Sequence, residues 1–147
     1  MRIACRWVIG VLCLVVVAGS VVSAQSVADS YTPVTDEMLV DPAPGDWPMW
    51  RRTYGHWGHS PLDQINTSNV GTLRLARAWT MGEGLQETTP LVHDGMMFLV
   101  QACDFVEALD VRDGSRIWQY RRERVDHAAR LSCANRNGAL YQDKLFI

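Results

Sequence analysis

The feature that most constrains this chain is a short-period β pattern between residues 88 and 120. Apolar runs at 88–92 and 96–101 flank His93-Asp94-Gly95, a turn whose glycine can take the positive φ a tight hairpin needs. Two more runs, 105–110 and 116–120, are joined through Val111-Arg112-Asp113-Gly114. Four short antiparallel strands in about thirty residues make one meander, and such a sheet cannot bury both faces alone. Its neighbours begin again downstream. Gly138-Ala139-Leu140-Tyr141-Gln142-Asp143-Lys144-Leu145-Phe146-Ile147 repeats the pattern of Pro90-Leu91-Val92-His93-Asp94-Gly95-Met96-Met97-Phe98-Leu99. Both read as a short strand, a polar turn around Asp and an apolar strand. The second copy stops inside its second strand, leaving an apolar edge that would invite aggregation. The chain is therefore expected to be the opening part of a repeated all-β fold.

The first stretch is set aside before any fold is counted. Arg2 and Arg6 form a positive n-region, 8–18 is a nearly unbroken apolar core, and Val22-Ser23-Ala24 presents compact residues where a signal peptidase reads. Residues 1–24 are expected to be a secretory signal peptide cleaved after Ala24. The apolar run falls short of the roughly 20 residues a spanning helix needs, and polar Gln25 and Ser26 follow it, so no membrane span is expected after cleavage. The alternative is an uncleaved anchor.

Losing 1–24 removes two positive charges and no acids, which moves the formal charge from −2 to −4. That balance does not suit nucleic acid, which would call for a basic stripe. The densest basic run, Arg121-Arg122-Glu123-Arg124, is broken by an acid and reads as a solvated strand end. Cys5 and Cys13 leave with the signal, whereas Cys103 and Cys133 remain in a compartment that permits a disulfide. Their spacing does not establish that they meet.

Residues 25–46 are polar and interrupted by Pro33, Pro42 and Pro44, which makes them a leader or wrapping segment. Within it, Thr35-Asp36-Glu37-Met38-Leu39 offers an N-cap and first-turn acids for one short helix. From 47 to 66 three of the six tryptophans lie among Gly and Pro, giving an ordered aromatic loop. His56 and His59 in that loop have a spacing that sometimes serves a metal, but no Cys, Asp or Glu converges on them, so an aromatic structural loop is the preferred reading. Residues 66–70 read as a turn or a single helical turn. Alternation of Leu73, Leu75 and Trp79 with Arg74 and Arg77 predicts a half-buried strand over 73–79.

Ala108-Leu109-Asp110-Val111-Arg112-Asp113-Gly114-Ser115-Arg116-Ile117-Trp118 sets a small residue, a turn glycine and an indole at fixed offsets across two strands. This resembles the tryptophan-docking motif of quinoprotein dehydrogenases, where Ala108, Gly114 and Trp118 would help lock adjacent blades. Three further segments occur in order: Trp50-Arg51 to Ser60-Pro61-Leu62-Asp63-Gln64-Ile65-Asn66, then Gln86-Glu87-Thr88-Thr89-Pro90, then Asn135-Arg136-Asn137-Gly138. Together they resemble the N-terminal part of the alcohol dehydrogenase family that depends on pyrroloquinoline quinone (PQQ), an eight-bladed β-propeller. Here the resemblance implies the first blade and part of the next, over 47–147.

By this resemblance Glu87 and Arg136 contact PQQ: the acid as a buried carboxylate at the inner end of the first blade, the arginine from the start of the next. A guanidinium offers several fixed donors to a cofactor that carries three carboxyl groups and an ortho-quinone. The family's adjacent cysteines, expected shortly before the arginine, are absent from Arg130-Leu131-Ser132-Cys133-Ala134-Asn135. That departure argues against methanol-type activity but not against PQQ use, and it leaves Cys133 either a structural residue or a partner for Cys103. The resemblance further implies oxidation of an alcohol by hydride transfer to PQQ, assisted by calcium or a lanthanide ion, with electrons passed to a periplasmic cytochrome. The metal ligands and the catalytic aspartate belong to later blades, so no catalytic residue and no activity are expected of these 147 residues alone. The alternative is a non-enzymatic exported β-propeller scaffold similar to outer-membrane assembly factors. It would share the blade motif without needing Glu87 and Arg136 together.

Overall fold

The computed structural model describes residues 27–123 and 134–147. The signal segment with its cleavage point, Arg124, His127 and Cys133 fall outside them. Four strands, β1 (Leu91–His93), β2 (Met96–Gln101), β3 (Phe105–Asp110) and β4 (Arg116–Arg121), form one antiparallel sheet in sequence order. Two more, β5 (Ala139–Tyr141) and β6 (Lys144–Phe146), pair as the start of a second sheet. The meander and its repeat are thus present, each closed by a two-residue turn. Asp94 and Gly95 have φ of 51° and 77°, the pair of positive values a two-residue I′ turn requires, and Gln142 repeats the first at 52°.

The first strand begins later than the sequence pattern implies, at Leu91. Pro90 has no N–H to give a ladder, and the Thr89 N–H donates instead to the Arg136 carbonyl at 3.3 Å. Residues 73–79 also depart from expectation, because they form no strand. Leu75 is 85% exposed there. Their alternation suits a sheet, but no strand among the described residues offers them a ladder. Two side-chain ties hold the stretch: Arg77 Nη1 to the Arg112 carbonyl at 2.9 Å, and Trp79 Nε1 to Glu107 at 3.1 Å.

The leader wraps as a strap. Thr35, in extended conformation, caps the helix α1 (Asp36–Val40) as its sequence predicts, with its hydroxyl accepting from the Met38 N–H at 3.4 Å. The strap then pairs with the free edges of both sheets. Val34 exchanges backbone bonds with Gln142, Trp47 with Val92, and Pro48 accepts from the Leu140 N–H at 2.9 Å. Covering an open strand edge in this way removes a template for unwanted pairing. One core results, in which Val34 and Leu39 of the strap pack with Leu91, Met96, Phe98 and Ala108 of the first sheet and Leu140 of the second. Burying each large side chain of this group contributes about 1.5–3 kcal/mol.

His93, at the end of β1, clamps the strap from inside. Its ring is 4% exposed, with Nδ1 at 2.7 Å from the Asp46 carboxylate and Nε2 at 2.8 Å from the Thr32 carbonyl. The Tyr31 ring meets it edge-on at 5.4 Å. Burial, reinforced by the carboxylates of Asp143, Asp94 and Asp46, pushes the Tyr31 phenol up, so it stays neutral.

Candidate cofactor-facing site

Two approach segments, 86–90 into β1 and 135–138 into β5, occupy equivalent places in the repeat and lie side by side. The Thr89–Arg136 backbone bond ties them. It brings together the two residues singled out from sequence, 49 positions apart: Arg136 Nε donates to Glu87 Oε2 at 2.6 Å. This bond, and the charge of Glu87 behind it, raises the Arg136 guanidinium further above its usual value. The Glu87 side chain is 34% exposed and that of Arg136 76%. In this chain the arginine meets Glu87 from the solvent side, and the acid keeps a water-accessible face.

An ion pair this exposed contributes little to stability. Its chemistry lies in what it leaves over. Among the described residues the bond engages only Nε of Arg136, so the terminal amino groups of the fork remain for a planar carboxylate or carbonyl. Glu87 keeps its second oxygen as an acceptor. At the next position in the chain the Thr88 hydroxyl is buried with no hydrogen-bond partner among the described residues. Cationic donors beside a carboxylate acceptor fit a flat, polyanionic quinone such as PQQ.

Larger clefts lie elsewhere. One of about 730 Å³ separates 74–79 from β3, and another of about 500 Å³ lies between the strap and 141–143. The first is the space under a segment without sheet partners and the second is open beside a short helix. Both have charged residues on their walls, Arg77 and Asp110 in the first and Asp36 and Asp143 in the second, but neither contains Glu87 or Arg136, so the paired residues carry the assignment rather than the size of a hollow.

The docking-motif residues take related places. Ala108 is fully buried and sits opposite Trp118 in the β3–β4 register. Gly114 takes φ 73° in the turn, and a Cβ there would stand 3.0 Å from Arg77 Cδ. The Trp118 ring lies 5.9 Å from that of Phe98 and borders a cleft of about 410 Å³ that it shares with Leu145 and Ile147 of the second sheet. His56 packs its ring against Trp50 at 5.4 Å inside the aromatic loop. Among the described residues no three His, Cys, Asp or Glu side chains are gathered to hold a metal, and no helix is long and apolar enough to cross a membrane.

Sequence reasoning missed two groups. His93 reads as an unremarkable turn residue yet is buried and bonded at both nitrogens. Glu107 reads as one polar position in an apolar strand, yet it is 3% exposed and accepts from Gln101, Trp79 and Arg116. The available signal was an acid inside a run destined for burial, which must find donors.

A four-stranded meander opening into a second sheet, with an acid and an arginine paired where the two begin, defines the start of a quinoprotein-type β-propeller. The family described as glucose/ethanol/alcohol dehydrogenase, PQQ β-propeller domain, matches residues 47–145, and the chain belongs to it. It is 34% identical over 143 residues to the dehydrogenase subunit of a quinone alcohol dehydrogenase of Komagataeibacter europaeus, covering 93% of this chain and 19% of that one. It also resembles the solved quinohemoprotein alcohol dehydrogenase of Pseudomonas putida, at 35% identity and a TM-score of 0.70, over 80% of this chain and 18% of the other. A europium-containing methanol dehydrogenase matches at 32% identity and a TM-score of 0.68, over 77% and 21%. The chain thus spans about a fifth of the length of the relatives it matches.

Proposed function

We propose that this chain supplies the first blade, and the beginning of the second, of an exported quinoprotein that oxidises an alcohol, and that Glu87 and Arg136 form one edge of its PQQ site. The observation that carries this reading is their ion pair, which joins the two blade beginnings while leaving donors and an acceptor unspent. Arg136 would hold a cofactor carboxylate or quinone oxygen through its terminal amino groups, and Glu87 would fix the guanidinium plane and accept from a ring N–H. When bound, PQQ would supply the two-electron acceptor for alcohol oxidation. The signal-like 1–24 segment supports a periplasmic setting, and the haem-bearing relatives support a cytochrome as electron acceptor. The accompanying ion would be calcium or a lanthanide held by residues outside this chain, and the europium-containing relative supports the lanthanide. On its own the 147-residue chain would reduce no dye with PQQ, and reduction by it would refute that part of the reading. The direct test measures PQQ binding, by quenching of tryptophan fluorescence, to the full-length protein carrying this chain and to its Arg136→Ala variant. Affinity lower by tenfold or more is expected. Equal affinity would remove the pair from the cofactor site.

A further inference from the structure

The residues that precede Glu87 and Arg136 are both fastened to one small corner, the connection between β2 and β3. Gln86 Oε1 accepts from the backbone N–H of Ala102 at 3.3 Å, and its Nε2 donates to the Gly82 carbonyl at 2.7 Å. Gly82 is itself held by Gln101, whose side-chain oxygen accepts from its N–H at 2.6 Å. The loop fits so closely that a Cβ at Gly84, where φ is 122°, would meet Ala102 Cβ at 2.8 Å. On the other side Asn135 Nδ2 donates to the Asp104 carboxylate at 2.8 Å and approaches the Gln101 carbonyl at 3.4 Å.

The corner is costly to form. Cys103 and Asp104 are consecutive non-glycine residues in the left-handed region, with φ of 61° and 56°, and such conformations persist only where the surroundings over-determine them. Here Cys103 is disulfide-bonded, Asp104 is 9% exposed, and the Asp104 carbonyl accepts from the Arg122 N–H at 3.3 Å. A hairpin that needed only to reverse direction would not require this, since the β1–β2 and β5–β6 connections manage with ordinary two-residue turns. We infer that the 101–104 corner is a shared template that positions Glu87 and Arg136 relative to one another, with Gln86 and the Asn135–Asp104 pair as its positioning residues. This rests on the reading of Glu87 and Arg136 as cofactor contacts. A guanidinium that must present its fork to a rigid planar ligand loses affinity when its backbone is free to drift, even though the side chain itself is unchanged.

The test compares PQQ affinity and the thermal unfolding midpoint in the full-length protein carrying this chain, across five variants. Asn135→Asp sets two carboxylates face to face and is expected to weaken PQQ binding about tenfold. Adding Asp104→Asn restores a donor opposite an acceptor with the roles exchanged, and is expected to recover most of that loss. Asn135→Ala removes the tie without repulsion, and Gln86→Met removes the other arm at similar length. Each is expected to weaken binding by about threefold to tenfold with little movement of the midpoint. Arg136→Ala is the reference. If Arg136→Ala weakens binding while Asn135→Ala, Asn135→Asp and Gln86→Met leave it unchanged, the template is refuted and the site stands. If affinity falls only in step with the midpoint, or the exchanged pair recovers nothing, the corner is structural and the inference fails. If Arg136→Ala binds PQQ as tightly as the parent, the site reading fails and the template goes with it. Should Asn135→Asp not fold, Gln86→Met decides on the same two readouts.

Discussion

Glu107 and Glu87 are both glutamates of the first blade with a basic partner, and they live in opposite environments. Glu107 sits inside the sheet, 3% exposed, with Gln101 Nε2 at 2.5 Å and Trp79 Nε1 at 3.1 Å on one oxygen and Arg116 Nη1 at 3.2 Å on the other. Both oxygens are engaged and the carboxylate is buried, so little of it is open to a ligand. Glu87 lies where two blades begin, a third exposed, with one partner among the described residues that is itself mostly in water. A buried, fully satisfied carboxylate holds segments together, and here it anchors the unpaired 73–79 stretch through Trp79. An exposed and under-used one is available for recognition. The contrast separates an acid that maintains the blade from one that can face a cofactor, and the sequence marks them differently, Glu107 alone in an apolar run and Glu87 within the polar 86–89 stretch.

The largest effect expected from breaking this contrast is at Glu107. Glu107→Ala leaves the Arg116 guanidinium, the Gln101 amide and the Trp79 indole without their shared acceptor. Leaving the buried Gln101 amide without its acceptor costs about 1–3 kcal/mol, to which the half-exposed Arg116 guanidinium adds little. Urea unfolding should show the loss directly, and a change below about 1 kcal/mol would show that water replaces the carboxylate without penalty. Next in size is Gly114→Ala. At φ 73° an added Cβ is strained, and it would stand 3.0 Å from Arg77 Cδ. The end of that side chain can give way, so the backbone term dominates at about 1–2 kcal/mol. The same unfolding experiment measures it, and a neutral result would mean that the turn relaxes to negative φ.

Much of the fold was legible because its signals are local. The Asp94-Gly95 turn and the Thr35 cap each depend on a few neighbouring residues, and they appear where the chain pattern puts them. The repeat copy at 139–146 was legible for the same reason, since a two-stranded hairpin needs only its own turn and its own alternation. What failed was the non-local part. Residues 73–79 carry a strand's alternation, but a strand exists only with a partner, and periodicity cannot report whether one is present. Glu87 and Arg136 were legible as residue types in motifs, yet their direct contact depends on how two blade beginnings meet. The 101–104 corner was invisible because two successive left-handed residues that are neither Gly nor Asn leave no compositional mark.

At the exposed end of the comparison, Glu87→Gln should scarcely move the unfolding midpoint, because the pair it breaks is largely solvated. Its effect should appear in PQQ affinity, with a loss of several-fold expected in a quenching titration of the full-length protein carrying this chain. The amide can still accept from Arg136, but it no longer fixes the guanidinium by charge. A variant that loses stability and keeps its affinity would place Glu87 with Glu107 among the structural acids.

The smallest effect concerns the acid at the end of β3. Arg112 folds back on Asp110, its Nη2 donating at 2.6 Å and its backbone N–H at 2.8 Å. These bonds hold the Asp110 carboxyl below the usual carboxylate range. A carboxyl whose folded value is depressed contributes stability that is fully present above its unfolded value, near 3.9, and is lost as pH falls through the lower folded value. Asp110→Asn keeps an oxygen to cap the turn and removes only the charge. The difference in urea midpoint between parent and variant should therefore stay constant from neutral pH down to about 5 and close progressively below about 4. It should be small throughout, because the Arg112 side chain is 65% exposed and water competes for the pair. A difference that grew with acidification would reverse the sign of the linkage and show that the neutral acid, not the carboxylate, is what the turn prefers.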